Sequence, residues 1–457
     1  MNSFMKKDKT LSSLTSFVLN QKNSSLHDAD FLDCKRRLTD TLGCGLAAFN
    51  QKDCEVIRTL AMQDQAEGKC SLLGTYQRTS VTQAAFANSF MIRYLDGADT
   101  YPGGGGHPSD CWAGLLALAQ QRQLNIDDLF RAARVAYNVF HNLFVSAQLR
   151  EKGIDNAFYV TLGTTVGCAY LMNLDYERTA NAISLAIVPN IPLAVARTGA
   201  LSTWKAGASA NANRNGVFAA QLAEAGIQGP AMPFEGSRGL FDLTGTFKLE
   251  PFESESKIFP RMQQAHMKQF LCDYHSQTPI LAAMQLHKEI KGESIESVNI
   301  YTYKFAHDEV GSDPEKWSPR NRETADHSMP WIVAGILLYG NFGEYLFSSH
   351  QLKNLEHLSL TRKITVAEDS EFSMRFPNQI PCKICVTTIS GRFLQVQADE
   401  PLGHPSRPIT NEQLREKFFT ISEPALGDRT QIIFNSIWQV HPKQPVSSLL
   451  DGISFHH

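Results

Sequence analysis

Val298-Asn299-Ile300-Tyr301-Thr302-Tyr303 alternates apolar and polar side chains with a period of two, and it marks a change in the character of the chain. From about residue 26 to 250 the apolar spacing is instead three and four, as helices require. Phe31, Cys34, Leu38, Leu42 and Leu46 form one such stripe, and residues 115–124, 129–149, 160–171 and 179–187 form others. Asn125 and Asn173 stand where helix starts are expected. Residues 205–226 are loaded with Ala, Gly and Asn, a composition that permits close helix packing or backbone approach to a ligand. After about residue 280, segments 383–388 and 393–398 alternate as strands do, and Ser390-Gly391 reads as the turn between them. Helices are expected at 279–291 and 329–339, and a last helical stretch at 411–435 could return to the first domain. The fold expected is mainly α with an inserted α+β domain. Residues 1–275 and 409–457 would form a large helical domain, and residues 276–408 a smaller α+β domain.

A chain of 457 residues is too long for one ordinary core, in keeping with two domains. Its net charge of -3 leaves no basic excess to attract nucleic acid or an anionic membrane. No window reaches the length of a membrane span, and the lysines near the N-terminus are not followed by an apolar run, so a secretory signal is not expected. Nine scattered cysteines fit a reducing compartment better than a disulfide framework, and a cytoplasmic location is expected. Cys382-Lys383-Ile384-Cys385 has metal-like spacing, but no second pair or nearby His completes a site.

The stretch from Leu95 to Asp110 places Asp96, Asp99, Thr100, Tyr101, His107, Ser109 and Asp110 around four consecutive glycines, between two apolar segments. Asp, Thr and His are types that orient a small polar substrate and exchange protons with it. The loop reads as the floor of an active site, the plain alternative being a solvated connector. Four further groups stand out. Ser202-Thr203-Trp204-Lys205-Ala206-Gly207 offers a cation beside an Ala-rich helix, unless Lys205 is a surface lysine. The segment from His266 to Gln277 places Lys268 and His275 near the expected domain boundary. Arg322-Glu323-Thr324-Ala325-Asp326-His327-Ser328 mixes charges that could equally cap the helix at Met329. Gly403-His404-Pro405-Ser406-Arg407-Pro408 reads as a rigid turn. A nucleophile elbow, a phosphate loop and a dinucleotide fingerprint are all missing from the sequence.

Leu-Asp-x-x-Asp-Thr with Gly-His-Pro-Ser-Asp, then Trp-Lys-Ala-Gly-Ala-x-Ala-Asn, then Tyr-His-Ser-Gln, then Arg-Glu-Thr-Ala-Asp-His-Ser-Met-Pro, in this order, resemble the MmgE/PrpD family. That family includes 2-methylcitrate dehydratases, cis-aconitate decarboxylase and an iminodisuccinate epimerase. The resemblance spans roughly residues 20–435. It implies a helical domain built from both chain ends, an inserted α+β lid with hinges near 270–278 and 402–410, and a homodimer. It also implies metal-independent lyase chemistry on small di- and tricarboxylates, with no cofactor. Carried over residue by residue, the loop Asp, Thr and His of the family match Asp96, Thr100 and His107. The helix lysine matches Lys205, and the Lys and His of the boundary segment match Lys268 and His275, a register preferred to the earlier Lys257-Ile258-Phe259-Pro260. Three positions depart from the pattern: Ala98 replaces a frequent Asn or Asp, Trp331 a usual Tyr, and Asn156 a frequent His.

Dehydrating a 2-hydroxy tricarboxylate means removing a proton α to a carboxylate and expelling hydroxide from the neighbouring carbon. Lys205 would neutralise charge on the carboxylates, and His107 and His275 would share the acid and base steps. Asp96 would orient the loop, and Thr100, Lys268 and His327 would bind substrate. The same parts would serve cis-aconitate decarboxylation to itaconate, epimerisation of an amino or imino dicarboxylate, or carboxylate binding without turnover. Dehydration of 2-methylcitrate is the favoured expectation.

Overall fold

A computed structural model describes residues 8–23, 26–64, 68–103, 105–252 and 260–456. The N-terminal lysines Lys6 and Lys7, Gly104 of the glycine run, and Lys257-Ile258-Phe259 lie outside the described residues. The fold is mainly α with a smaller α+β part, and the chain divides into two compact units. The first comprises Met1–Ala194, Ala206–Ala265 and Thr410–His457, the second Val195–Lys205 and His266–Ile409. No helix among the described residues is long and apolar enough to cross a membrane.

In the first unit the helical stripes become buried faces. Asp28–Ala47 buries Cys34, Leu38, Leu42 and Leu46, and it begins with a capping box between His27 and Asp30. Ile126–Ala147 starts at Asn125, whose side chain accepts from Asp128 N in a second capping box. Asn173 does not cap the following helix. It adopts φ 53°, a left-handed conformation that Asn tolerates, and Asp175 caps Tyr176–Ile187 by accepting from Arg178 N. Ala157–Leu171 lies close against Ile126–Ala147 because Gly167 has no side chain: a Cβ there would stand 3.2 Å from the Ala132 carbonyl and 2.6 Å from Leu115. Two short strands, β1 (Cys70–Ser71) and β2 (Arg78–Thr79), pair antiparallel. The C-terminal helix Asn411–Leu426 returns to this unit through Lys417, whose Nζ lies 2.5 Å from Asp40 Oδ1 and 2.8 Å from the Gly97 carbonyl.

The Ala- and Asn-rich stretch forms the helix Trp204–Glu224. Within it, Asn213 is a buried junction. Its amide nitrogen donates to Ser89 Oγ at 3.0 Å and to the Asp110 carbonyl at 2.6 Å, and its oxygen accepts from Gly114 N at 3.0 Å and Thr164 Oγ1 at 3.1 Å. Four segments are joined by one side chain.

The second unit is built on a four-stranded sheet of β3 (Ile295–Thr302), β4 (Ile364–Glu368), β5 (Cys382–Thr388) and β6 (Phe393–Ala398), in the order β4-β3-β5-β6. The β3–β4 pair is parallel and the other two pairs are antiparallel. Three of these strands were legible as alternating runs. The edge strand β4 was not, because its five residues are too few to establish a period and its side chains are mostly part-exposed. Between β5 and β6, Gly391 at φ 84° permits the turn, and Thr388 N donates to the Arg392 carbonyl. Cys382 and Cys385 sit on β5, and all nine cysteines are buried free thiols. The helices Gln277–Ile290 and Met329–Tyr339 share a core with the sheet.

Trp331 belongs to that core and is fully buried; its indole N–H donates to the Leu346 carbonyl at 2.9 Å. Its ring stacks on His357 at 3.6 Å between centroids. His357 donates from Nε2 to the Trp331 carbonyl at 2.8 Å and accepts at Nδ1 from the Gln351 amide at 2.8 Å, which specifies the neutral ring. Burial pushes its pKa down to about 4.

Two expectations follow. Asn213→Ala leaves several buried partners unsatisfied at roughly 1–3 kcal/mol each, so the apparent Tm falls by several degrees in a thermal melt followed by circular dichroism. The unfolded chain protonates His357 near pH 6.5, before the folded chain does, so the stabilisation present above pH 6.5 is lost as pH falls towards 4, about 3 kcal/mol in all. Urea midpoints between pH 7 and 4.5 therefore decline less steeply in His357→Gln than in the parent chain.

Candidate active-site clusters

The helix Val81–Tyr94 ends with Arg93 in its last turn, and the chain reverses at Asp96, a buried residue with φ 53°. Arg93 forms a short ion pair with Asp96, lies 3.7 Å from Asp110, and reaches His107 Nε2 at 2.9 Å. A guanidinium can only donate, so Nε2 accepts, and the ring proton resides on Nδ1, which donates to the Asp99 carbonyl at 3.2 Å. His107 is thus held as the neutral Nδ1–H tautomer. The Asp99 side chain is saturated: Arg37 at 2.7 Å and the Tyr137 hydroxyl at 2.9 Å reach one oxygen, and Ser109 N donates to the other at 3.0 Å. Burial would discharge Arg37, but Asp33 and Asp99 outweigh it and raise its pKa.

Thr100 donates its hydroxyl proton to the Gly106 carbonyl at 3.0 Å, and Tyr101 N donates to the same carbonyl at 2.6 Å, closing the glycine loop on itself. Gly106 is required by packing, since a Cβ would stand 2.9 Å from the Phe144 ring. The Asn156 amide donates to the Gly105 carbonyl, so the residue that departs from the family pattern fastens this loop. The first unit therefore joins Asp96 to His107 through Arg93 and turns Thr100 onto backbone.

In the second unit, Lys205 is 1% exposed and its ammonium lies 2.8 and 2.6 Å from the two oxygens of Asp326. It is a buried partner and no surface lysine. Asp326 also accepts from Arg322 at 2.7 Å and contacts His327 Nδ1 at 2.6 Å. Burial alone would raise the Asp326 pKa, but Lys205, His327 and Arg322 hold it well below the ordinary carboxylate range. The cap reading of this motif is also met, because Ser328 accepts from Trp331 N at 3.1 Å. Asp273 stands 3.8 Å from His327 Nε2 and accepts from His275 N at 2.8 Å, linking the two histidine-bearing turns. His275 Nδ1 shares a short hydrogen bond with the Tyr303 hydroxyl. Lys268, 1% exposed, donates to the Cys272 carbonyl at 3.1 Å. The Gly403–Pro408 turn is closed by Gly403 N to the Arg407 carbonyl and Arg407 N to the His404 carbonyl, both 2.8 Å.

Arg93 and Tyr303 were not singled out from sequence as site residues, and Asp99 and Asp326 stood in the quoted stretches without an assigned role. Arg93 lies three residues before Asp96, a spacing that brings side chains together in a helical turn, and this was the available signal. Nothing in the sequence announces the Tyr303–His275 pair, which forms across 28 residues.

A mainly α chain with an inserted mixed sheet and buried carboxylate–cation clusters narrows the class considerably, and family comparison completes the assignment. Residues 12–251 match the MmgE/PrpD N-terminal domain and residues 270–439 the MmgE/PrpD C-terminal domain. The chain belongs to the MmgE/PrpD family. It is similar to the 2-methylcitrate dehydratase of Escherichia coli (strain K12), with 26% identity over 434 residues covering 88% of this chain and 87% of the relative. The 2-methylcitrate dehydratase of Salmonella typhi is 27% identical over 416 residues, covering 83% of each. The probable 2-methylcitrate dehydratase of Saccharomyces cerevisiae is 24% identical over 432 residues, covering 88% and 82%.

Removing the carboxylate of this second cluster should be severe. Asp326→Asn leaves Lys205 buried without its anion, while Arg322 keeps Glu344 at 3.1 Å, and the unfolding free energy is expected to fall by about 3–5 kcal/mol, measured by denaturant titration at pH 7.

Proposed function

We propose that the protein is a lyase that dehydrates 2-methylcitrate to 2-methylaconitate. The observation that carries this reading is the pairing, in a buried setting, of ammonium groups with histidines of restricted protonation. Lys205 and Lys268 are each 1% exposed, a rare placement for lysine, and Lys205 shares Asp326 with His327. The relatives named 2-methylcitrate dehydratase support the choice of substrate.

In this reading Lys205 and Lys268 neutralise substrate carboxylates, which lowers the cost of charge developing at the α-carbon. One of His107 and His275 takes the α-proton, the C–H electrons become the double bond, and the C–O bond breaks. The other histidine gives its proton to the departing oxygen, so that water leaves. Asp96 holds Arg93, and Arg93 in turn fixes the His107 tautomer. Thr100 keeps its hydroxyl oxygen as an acceptor after donating to Gly106. His327, polarised by Asp326, orients a carboxylate or hydroxyl of the substrate.

The test is a proton NMR time course of metal-free protein with 2-methylcitrate and, separately, with cis-aconitate. Olefinic 2-methylaconitate signals are expected, and His107→Gln and His275→Gln each lower kcat/KM by about 10²-fold or more, the usual contribution of one positioned acid or base. Itaconate methylene signals from cis-aconitate, with 2-methylcitrate unchanged, would replace the dehydratase reading with a decarboxylase. Two silent spectra would overturn both.

A further inference from the structure

We propose that Lys316 is a further anion-binding residue of this protein and that its ammonium receives a carboxylate group of the substrate. Lys316 sits in the short helical turn Pro314–Trp317 of the second unit and is 1% exposed. The other buried lysines among the described residues each have an acceptor: Asp326 for Lys205, the Cys272 carbonyl for Lys268, and Asp40 with the Gly97 carbonyl for Lys417. Among the described residues, no hydrogen-bond acceptor meets the Lys316 ammonium. A buried cation left in this way is unfavourable, and such groups are found where a ligand completes them.

The carboxylates that act on Lys316 electrostatically are Asp313, Asp273, Glu309 and Asp326. Three of them are committed elsewhere. Asp326 is held by Lys205, Arg322 and His327, Asp273 accepts from His275 N, and Asp313 accepts from Gly199 N at 3.2 Å. They keep a positive charge tolerable at this position without hydrogen-bonding it. Burial still dominates, and the lysine's pKa is lowered.

The turn is also firmly placed. Lys316 N donates to the Asp313 carbonyl at 3.0 Å, Trp317 Nε1 donates to the Ile364 carbonyl at 2.8 Å, and Ser328 Oγ donates to the Lys316 carbonyl. Ser328 directly follows His327, so the backbone carrying Lys316 is tied to the backbone carrying the His327–Asp326 pair. The fit is to an oxyanion of the carboxylate class, delivered beside Asp326, a carboxylate that already has its own cations.

The identity of the ligand rests on the tricarboxylate reading above; the binding role of Lys316 does not. Isothermal titration calorimetry with tricarballylate, which lacks the hydroxyl and cannot eliminate water, separates the two. The parent chain is expected to bind, Lys316→Met to bind at least tenfold more weakly, and Lys316→Arg to retain most of the affinity. The Tm of Lys316→Met should be unchanged or raised, whereas a purely structural lysine would give a lower one. Equal affinity in Lys316→Met, or no binding by the parent chain, overturns the inference. If Lys316→Met does not fold, reductive methylation of the parent chain read by mass spectrometry decides: protection of Lys316 by tricarballylate supports the inference, and equal labelling overturns it. A parent chain that binds tricarballylate through Lys316 yet leaves 2-methylcitrate unchanged sinks the dehydratase reading alone.

Discussion

A carboxylate withdrawn from water must be compensated where it stands, and Asp326 shows how completely this constraint shapes the second unit. Three cationic or polarisable groups converge on it, from the start of the Trp204–Glu224 helix, from the turn before Met329, and from the residue beside it in sequence. The association of Val195–Lys205 with a unit otherwise made of later residues follows from the same demand. That segment is further stitched by Leu201 N to Thr324 Oγ1 at 3.1 Å and by the Asn321 amide to the Leu201 carbonyl at 2.7 Å. The first unit solves an equivalent problem with Asp99, using Arg37, Tyr137 and a backbone N–H. In both places a histidine is held beside the anion, His327 by the Asp326 carboxylate and His107 by the backbone carbonyl of Asp99.

What sequence patterning reveals about this chain depends on whether the determining interaction is local. Helices with a buried stripe, such as Asp28–Ala47, declare themselves because every fourth residue repeats the same environment. Asn125 was recognisable as a cap because the capping box closes within four residues. Asn173 misled for a physical reason: Asn serves both as a cap and as a left-handed turn residue, and here the turn came two positions before the true cap, Asp175. β4 escaped notice because its five residues are too few to establish a period, whereas the longer β6 at the opposite edge was legible. The Asn213 junction draws on Ser89, Asp110, Gly114 and Thr164, none of them near it in sequence, so no period or spacing could have marked it.

The candidate site divides along the same line. Asp96, Thr100, His107, Lys205, Lys268, His275 and His327 were legible as residue types in unusual settings, and each is buried. Of the groups that restrain them, Arg93 and Tyr303 were missed, and Asp326 was visible only as part of a charged motif. Arg93 fixes the His107 tautomer, Asp326 anchors Lys205 and His327, and Tyr303 engages His275. Trp331, which stood out in sequence as a departure, is explained by packing on His357 and by its bond to Leu346. Residues that contact a ligand are chosen for chemistry and look anomalous; residues that hold them are ordinary until their neighbours are known.

The discontinuity of the second unit limits how this protein can be divided or rearranged. A gene fragment encoding only residues 266–409 would carry Asp326 and Arg322 without Lys205, and would lose the tether through Leu201. A recombinant boundary placed anywhere between residues 195 and 265 would separate that tether from its binding partners. The module is inherited as two pieces or not at all, so exchange of this unit between homologous proteins must transplant both stretches together.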